Sequence, residues 1–164
     1  MKRLIITLCL AISLAIGSFG VGWSGDLQKG FDAYEEGDYA TALKEWTPLA
    51  EQSEASAQFN LGVMYAMGHG VPQDHKTAVK WFTLSAEQGD AMAQGNIATM
   101  YAFSQGVIED KVYAHMWANL GNSNGNENGK KLMEHLLEQG MTPSQIEKAQ
   151  DLARECVAKN YKGC

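Results

Sequence analysis

Side-chain catalysis needs a nucleophile beside a base, a metal held by clustered donors, or backbone amides around a phosphate. The four histidines are His69, His75, His115 and His135. No two are paired at i, i+4, and no Cys, Asp or Glu cluster with metal-ligand spacing accompanies them. His69 falls in a glycine turn and His75 beside a helix cap, so both read as solvated loop residues. His115 and His135 fall on expected helices, at the surface or partly buried. Ser85 and Ser104 lack the strand-to-helix context of a nucleophile elbow. Ser53, Ser56, Ser85, Ser104, Ser123 and Ser144 are each followed, three residues on, by something other than lysine. Gly68-His69-Gly70 is glycine-rich, but no strand precedes it as a phosphate loop requires. The residues therefore imply no catalytic constellation, no metal and no cofactor.

What the chain does contain is a repeat. Asp38, Asp74 and Asp110 stand 36 residues apart, as do Ala42, Ala78 and Ala114. Ala57/Ala93, Gln58/Gln94, Asn60/Asn96, Tyr65/Tyr101, Gly70/Gly106 and Trp81/Trp117 match identically at the same period. A fixed period of this length marks a solenoid, because each unit buries its apolar face only against the next. The pattern after Gly25 is helical, with no β alternation. Helices are expected over about Leu27–Glu36, Tyr39–Gln52 and Glu54–Met67, then after the caps Asp74 and Asp110, and around Ala93–Tyr101 between them. Two more follow, about Lys130–Gln139 and from Thr142-Pro143-Ser144-Gln145, a capping box, to about Lys159. Gly121–Gly129 reads as the least structured stretch. Expected inward residues include Leu27, Phe31, Tyr34, Trp46, Trp81, Phe82, Trp117, Leu136 and Leu137. The expected fold is all-α: a right-handed α-α superhelix of about four antiparallel helix pairs.

Met1-Lys2-Arg3, an apolar run from Leu4 to Ile16 and small residues through Gly25 read as a secretory signal peptide over residues 1–24. An uncleaved anchor is the alternative, but the run falls short of the roughly 20 residues a span needs. Cleavage after Gly20, Gly22 or Ser24 fits equally. Losing Lys2 and Arg3 leaves 11 basic against 19 acidic residues. An acidic chain without a basic stripe argues against nucleic acid and against anionic lipid surfaces. No membrane insertion is expected after cleavage. Periplasmic or secreted localisation follows.

Cys9 would leave with the signal, so Cys156 and Cys164 remain. In an oxidising compartment they should pair; two unrelated free thiols are the other reading. A continuous helix would hold them about 12 Å apart, too far for a disulfide. Pairing therefore requires the chain to turn back after about Asn160, which Gly163 eases.

Ala57, Leu61-Gly62, Tyr65, Gly68, Gly70-Val71, Asp74, Ala78, Trp81-Phe82 and Ala86-Glu87-Gln88-Gly89 together resemble a Sel-one-like repeat (SLR), a relative of the tetratricopeptide repeat. The next unit departs at Ala98 and Ser104, where glycine is usual, and at Gly121-Asn122, where two alanines are. The resemblance implies repeats over about 26–56, 57–92 and 93–125, with a capping pair over 126–164. Secreted cysteine-rich relatives bridge cysteines spaced as Cys156 and Cys164 are. The first helix of each pair lines the concave face in such superhelices. Asn60, Val63 and Met67 on the third helix, and Asn96, Thr99 and Phe103 one period later, are the candidate partner-binding residues. A side-chain amide offers donor and acceptor together to a peptide backbone. The expected function is a non-catalytic module of the bacterial envelope that binds a protein or peptide partner. Two alternatives stand beside it: the asparagines tie down neighbouring loops, or the chain is a cell-wall-related small-ligand binder or β-lactamase-like enzyme.

Overall fold

Helix starts leave backbone N–H groups without partners, and this chain supplies an acidic side chain at nearly every one. The structure, a computed structural model, describes residues 25–164; the expected signal peptide lies outside them. Among the described residues there are eight helices and no strand: α1 Leu27–Glu35, α2 Tyr39–Glu51, α3 Ala55–Met67, α4 His75–Ala86, α5 Ala91–Ala102, α6 Lys111–Ser123, α7 Asn128–Glu138 and α8 Pro143–Ala158. Asp26, Asp38, Glu54, Asp74, Asp90 and Asp110 accept N–H bonds in the first turns of α1 to α6. The hydroxyls of Thr41 and Thr77 also donate to Asp38 and Asp74, at 2.6 and 2.7 Å. These bonds hold both carboxyls below their ordinary range. Thr142 and Gln145 close the expected capping box on α8, with Pro143 in its first turn.

Successive helices pack as neighbours from α1 through α6, the pattern of an α-α solenoid. The alanines at 42, 57, 78, 93 and 114 are all fully buried. Around them lie Trp46, Leu61 and Met64 in the first part of the core, and Phe82, Ile97, Met116 and Trp117 in the second. A Cβ on Gly62 would stand 2.6 Å from the Phe82 ring, so this helix pair closes only over glycine. One period on, Ala98 and Ala118 occupy the equivalent positions, both buried. The ring is gone, and a methyl group fits where glycine is usual. Gly70 and Gly106 have φ of 71° and 74°. A Cβ at either would also stand 2.5–2.6 Å from α2 or α4 atoms, so these turns require glycine twice over.

Some expectations give way. Phe31 and Leu137 point outward, 44% and 46% exposed. On α1 the inward positions are Gly30 and Ala33, because the Trp46 indole lies against Gly30 too closely for a side chain. Trp81 is half-buried, whereas Trp117 is fully buried. The stretch 121–129 is mostly helix, with α6 running through Ser123 and α7 beginning at Asn128. Gly121 and Gly129 serve close approach, since a Cβ on Gly129 would stand 2.3 Å from the Ala118 carbonyl oxygen and one on Gly121 3.2 Å from that of Ala91. The buried Asn126 amide donates to the Ala91 carbonyl at 3.1 Å. The final two helices also differ from the earlier pairs. Both α7 and α8 pack on α6, and α7 reaches α5.

After α8 the chain reverses through Asn160 and Tyr161, with φ of 51° and 63°. Cys156 and Cys164 are disulfide-bonded, their Cα atoms 5.4 Å apart. The reversal is the one that pairing demanded.

Candidate functional site

The candidate groove lies between α3 and α5. Val63, Met67, Asn96 and Thr99 line one cleft of about 170 Å³, with Ala66, Phe82, Met100 and Gln105. Four of the six expected residues therefore meet in a single depression floored by apolar side chains. Asn60 lies on α3 one turn before Val63, half-buried and outside that lining. Phe103 caps the C-terminus of α5 and turns toward α7, its ring 5.9 Å from that of His135. The Thr99 hydroxyl donates to Gly95 O at 3.0 Å within its own helix, so a ligand meets its methyl group and lone pairs. Met67 is 64% exposed and Phe103 52%.

The amide side chains divide into two sets. Gln58 and Gln94, fully matched in the repeat, are buried. Gln58 donates to Ala50 O at 3.0 Å and Gln94 to Ala86 O at 3.1 Å. Each carbonyl belongs to the last turn of the preceding helix and also accepts a turn N–H, from Ser53 or Gly89, at 3.0 Å. The glutamines' own oxygens accept from Gln88 at 2.8 Å and Asn124 at 2.9 Å. Each position of the network recurs 36 residues later, with Asn124 standing where Gln88 stood. These glutamines join one helix pair to the next. The Gln58/Gln94 identity was the signal for this role, and sequence reasoning assigned them none.

Asn60 and Asn96 form the other set. Both are half-buried, and neither side chain has a hydrogen-bond partner among the described residues. The loop-tethering that was an alternative for them is performed by the glutamines two residues earlier on each helix.

The histidines do not assemble. His69 is no solvated loop residue, since it stacks on Tyr39 at 4.6 Å with its Nδ1 2.9 Å from the Tyr34 hydroxyl. It pins the glycine turn to the first helix pair. His75 and His115 each have a buried Nδ1 without a hydrogen-bond partner among the described residues. Burial pushes the His115 pKa down. Ser85 is wholly enclosed, so its hydroxyl reaches no substrate. No group of three or more His, Cys, Asp or Glu able to hold a metal occurs among the described residues. No helix among them is long and apolar enough to cross a membrane.

The Sel1 repeat family profile matches residues 55–90 and 91–126. Two solved structures are similar. One is a protective antigen present in uropathogenic Escherichia coli strains and displaying an SLR fold, 26% identical over 80% of this chain with a TM-score of 0.74. The other is a Sel1 repeat protein from Oxalobacter formigenes, 26% identical over 70% of this chain with a TM-score of 0.66. This chain spans 30% and 47% of the lengths of those two proteins. No curated protein matches it. Repeats of this family form helical interaction modules. Capped helix pairs, a 36-residue polar network and two profile matches agree that this is a Sel1-like repeat protein.

Proposed function

We propose that this protein is a binding module of the bacterial cell envelope. It holds an extended segment of a partner protein in the α3–α5 groove. The observation that carries the reading is the pair Asn60 and Asn96. They stand one period apart on successive groove helices, half-buried, with amides unpaired among the described residues. A half-buried amide gains from a partner that offers both an acceptor and a donor, as a peptide backbone does. Met67 and Phe103 supply adaptable and broad apolar contact beside them. The envelope assignment rests on the signal-like residues 1–24 and on the disulfide, which oxidising compartments favour.

The test uses a photo-crosslinking residue at Val63 in producing cells, followed by identification of the crosslinked protein. Asn60→Ala and Asn96→Ala should each reduce capture of that partner by about tenfold, the loss of a good hydrogen-bonded contact. Their thermal midpoints should stay within about 2 °C of the parent. Capture that survives both changes would sink the groove reading. Turnover of a chromogenic β-lactam, or covalent labelling by a fluorescent penicillin, would favour the enzyme instead.

A further inference from the structure

We propose that the cleft between α6 and α8 is a second binding site. Its ligand is the C-terminal residue of a peptide, with a free carboxylate beside an apolar side chain. The cleft encloses about 410 Å³, within the ~300–1,000 Å³ usual for small-ligand sites. It is separate from the α3–α5 groove and shares no lining residue with it.

The lining chemistry selects the ligand. The chain carries 19 acidic against 13 basic residues, so most of its surface repels anions. None of the described residues lining this cleft is acidic, and the one charge is Arg154. Asp151, on the same helix, takes one guanidinium nitrogen of Arg154. A guanidinium has five N–H donors in a planar fork, so donors remain for a second carboxylate. Asn119, Ser123 and Gln150 also line the cleft, and none has a side-chain hydrogen-bond partner among the described residues. Two amides and a hydroxyl match the N–H and C=O of a terminal peptide bond. Leu120, Ala153 and Val157 give an apolar bed, and Val157 is half exposed on it.

One wall is held in place from outside the two helices. Tyr161 lines the cleft in the reversed segment closed by the Cys156–Cys164 bridge. Its N–H donates to Cys156 O at 2.8 Å. Its hydroxyl donates to Asn124 Oδ1 at 3.3 Å. Gly163 N donates to Glu87 Oε1 at 2.8 Å, tying the same segment to the end of α4. The disulfide thus serves the shape of the cleft as well as the chain end.

The experiment titrates the protein, as its cell processes it, with N-acetyl-alanyl-leucine, with the C-terminal amide of that dipeptide and with octanoate. Calorimetry gives affinity, and methyl NMR shifts of Leu120 and Val157, against Val63 of the groove, give location. The acid should bind with a dissociation constant below about 1 mM, moving Leu120 and Val157 but not Val63. The amide and octanoate should each bind at least about tenfold more weakly, for want of the carboxylate or of the peptide bond. Arg154→Ala should lower affinity for the acid to that for the amide. Its side chain is 68% exposed, so the variant should keep the parent thermal midpoint. Tyr161→Ala should weaken binding of the acid and of the amide alike. Equal binding of acid and amide, octanoate binding as tightly as the acid, shifts at Val63 alone, or an Arg154→Ala variant with parental affinity would each overturn the proposal. No detectable binding of the acid would overturn it as well.

Discussion

Replacing Gln94 with alanine measures how much of the stability comes from the joint between helix pairs. Gln94 is wholly buried, and its amide makes two hydrogen bonds, to Ala86 O and from Asn124. Each is worth about 1 kcal/mol net. The Ala86 carbonyl keeps the N–H of Gly89 at 3.0 Å after truncation, so no buried acceptor is orphaned. Asn124 is exposed and can turn to water. The expected loss is therefore about 2 kcal/mol, or roughly 6 °C in midpoint at this chain size. Gln58→Ala should behave alike, since its bonds to Ala50 and from Gln88 repeat the arrangement. The control is Asn96→Ala, two residues away on the same helix with no bond to lose, which should cost about 0.5 kcal/mol or less. Urea unfolding followed by circular dichroism reads both, with the slope against urea checking that the unfolded states compare. If Gln94→Ala costs no more than Asn96→Ala, the division into structural and free amides is wrong, and the groove argument falls with it.

Trp117→Ala should cost about 3–5 kcal/mol as a large core truncation. Trp81→Ala at the half-buried equivalent should cost about half that, and chemical unfolding that ranks them the other way would contradict the burial difference. The protein isolated from an oxidising compartment should show no free thiol. Reducing its short disulfide loop should cost about 2.5 kcal/mol, and two reactive thiols in the native protein would refute the bridge. His115 gives a pH dependence. Its folded pKa lies below the unfolded value of 6.5 because burial disfavours the charged ring. As pH falls below 6.5 the unfolded chain takes up the proton first, so stability falls until the lowered folded pKa is crossed. His115→Val, the residue one period earlier at Val79, should flatten midpoint against pH between about pH 7 and 5. A variant with an unchanged slope would show that the burial is not felt.

The helices were legible because each carries its own start signal. Asp38, Asp74 and Asp110 cap where the period places them, and Thr142-Pro143-Ser144-Gln145 opens α8 as written. Close approach between helices was not legible. Gly30, Gly121 and Gly129 look like breakers in one dimension, yet each sits where a Cβ would press on a neighbouring element. Helical spacing alone places Phe31 inward, but the Trp46 indole lies against Gly30 on that face of α1. The candidate groove was half legible. The repeat set Val63 and Met67 opposite Asn96 and Thr99, but Phe103 stands past the end of its helix and turns to His135. Contacts that depend on which helices meet, such as the Gln94 and Asn124 pair, had to await the fold.

The departures in the third unit make sense as an ending. Leu84 and Leu120 are one period apart, yet Leu84 is 44% exposed and Leu120 3%. The difference lies in their neighbours: α8 packs on α6, and among the described residues no such helix covers α4. Trp81 and Trp117 show the same contrast. A repeat array exposes an unsatisfied face at its end and needs an atypical unit to cover it. Here α7 and α8 both settle on α6, as such a unit would. Gly121 lets α6 approach α5, and Gly129 lets α7 approach α6. Covering the end also creates the α6–α8 cleft, because α8 meets α6 across polar side chains beside its apolar bed. The packing of α8 on α6 thus brings the lining residues of this cleft together.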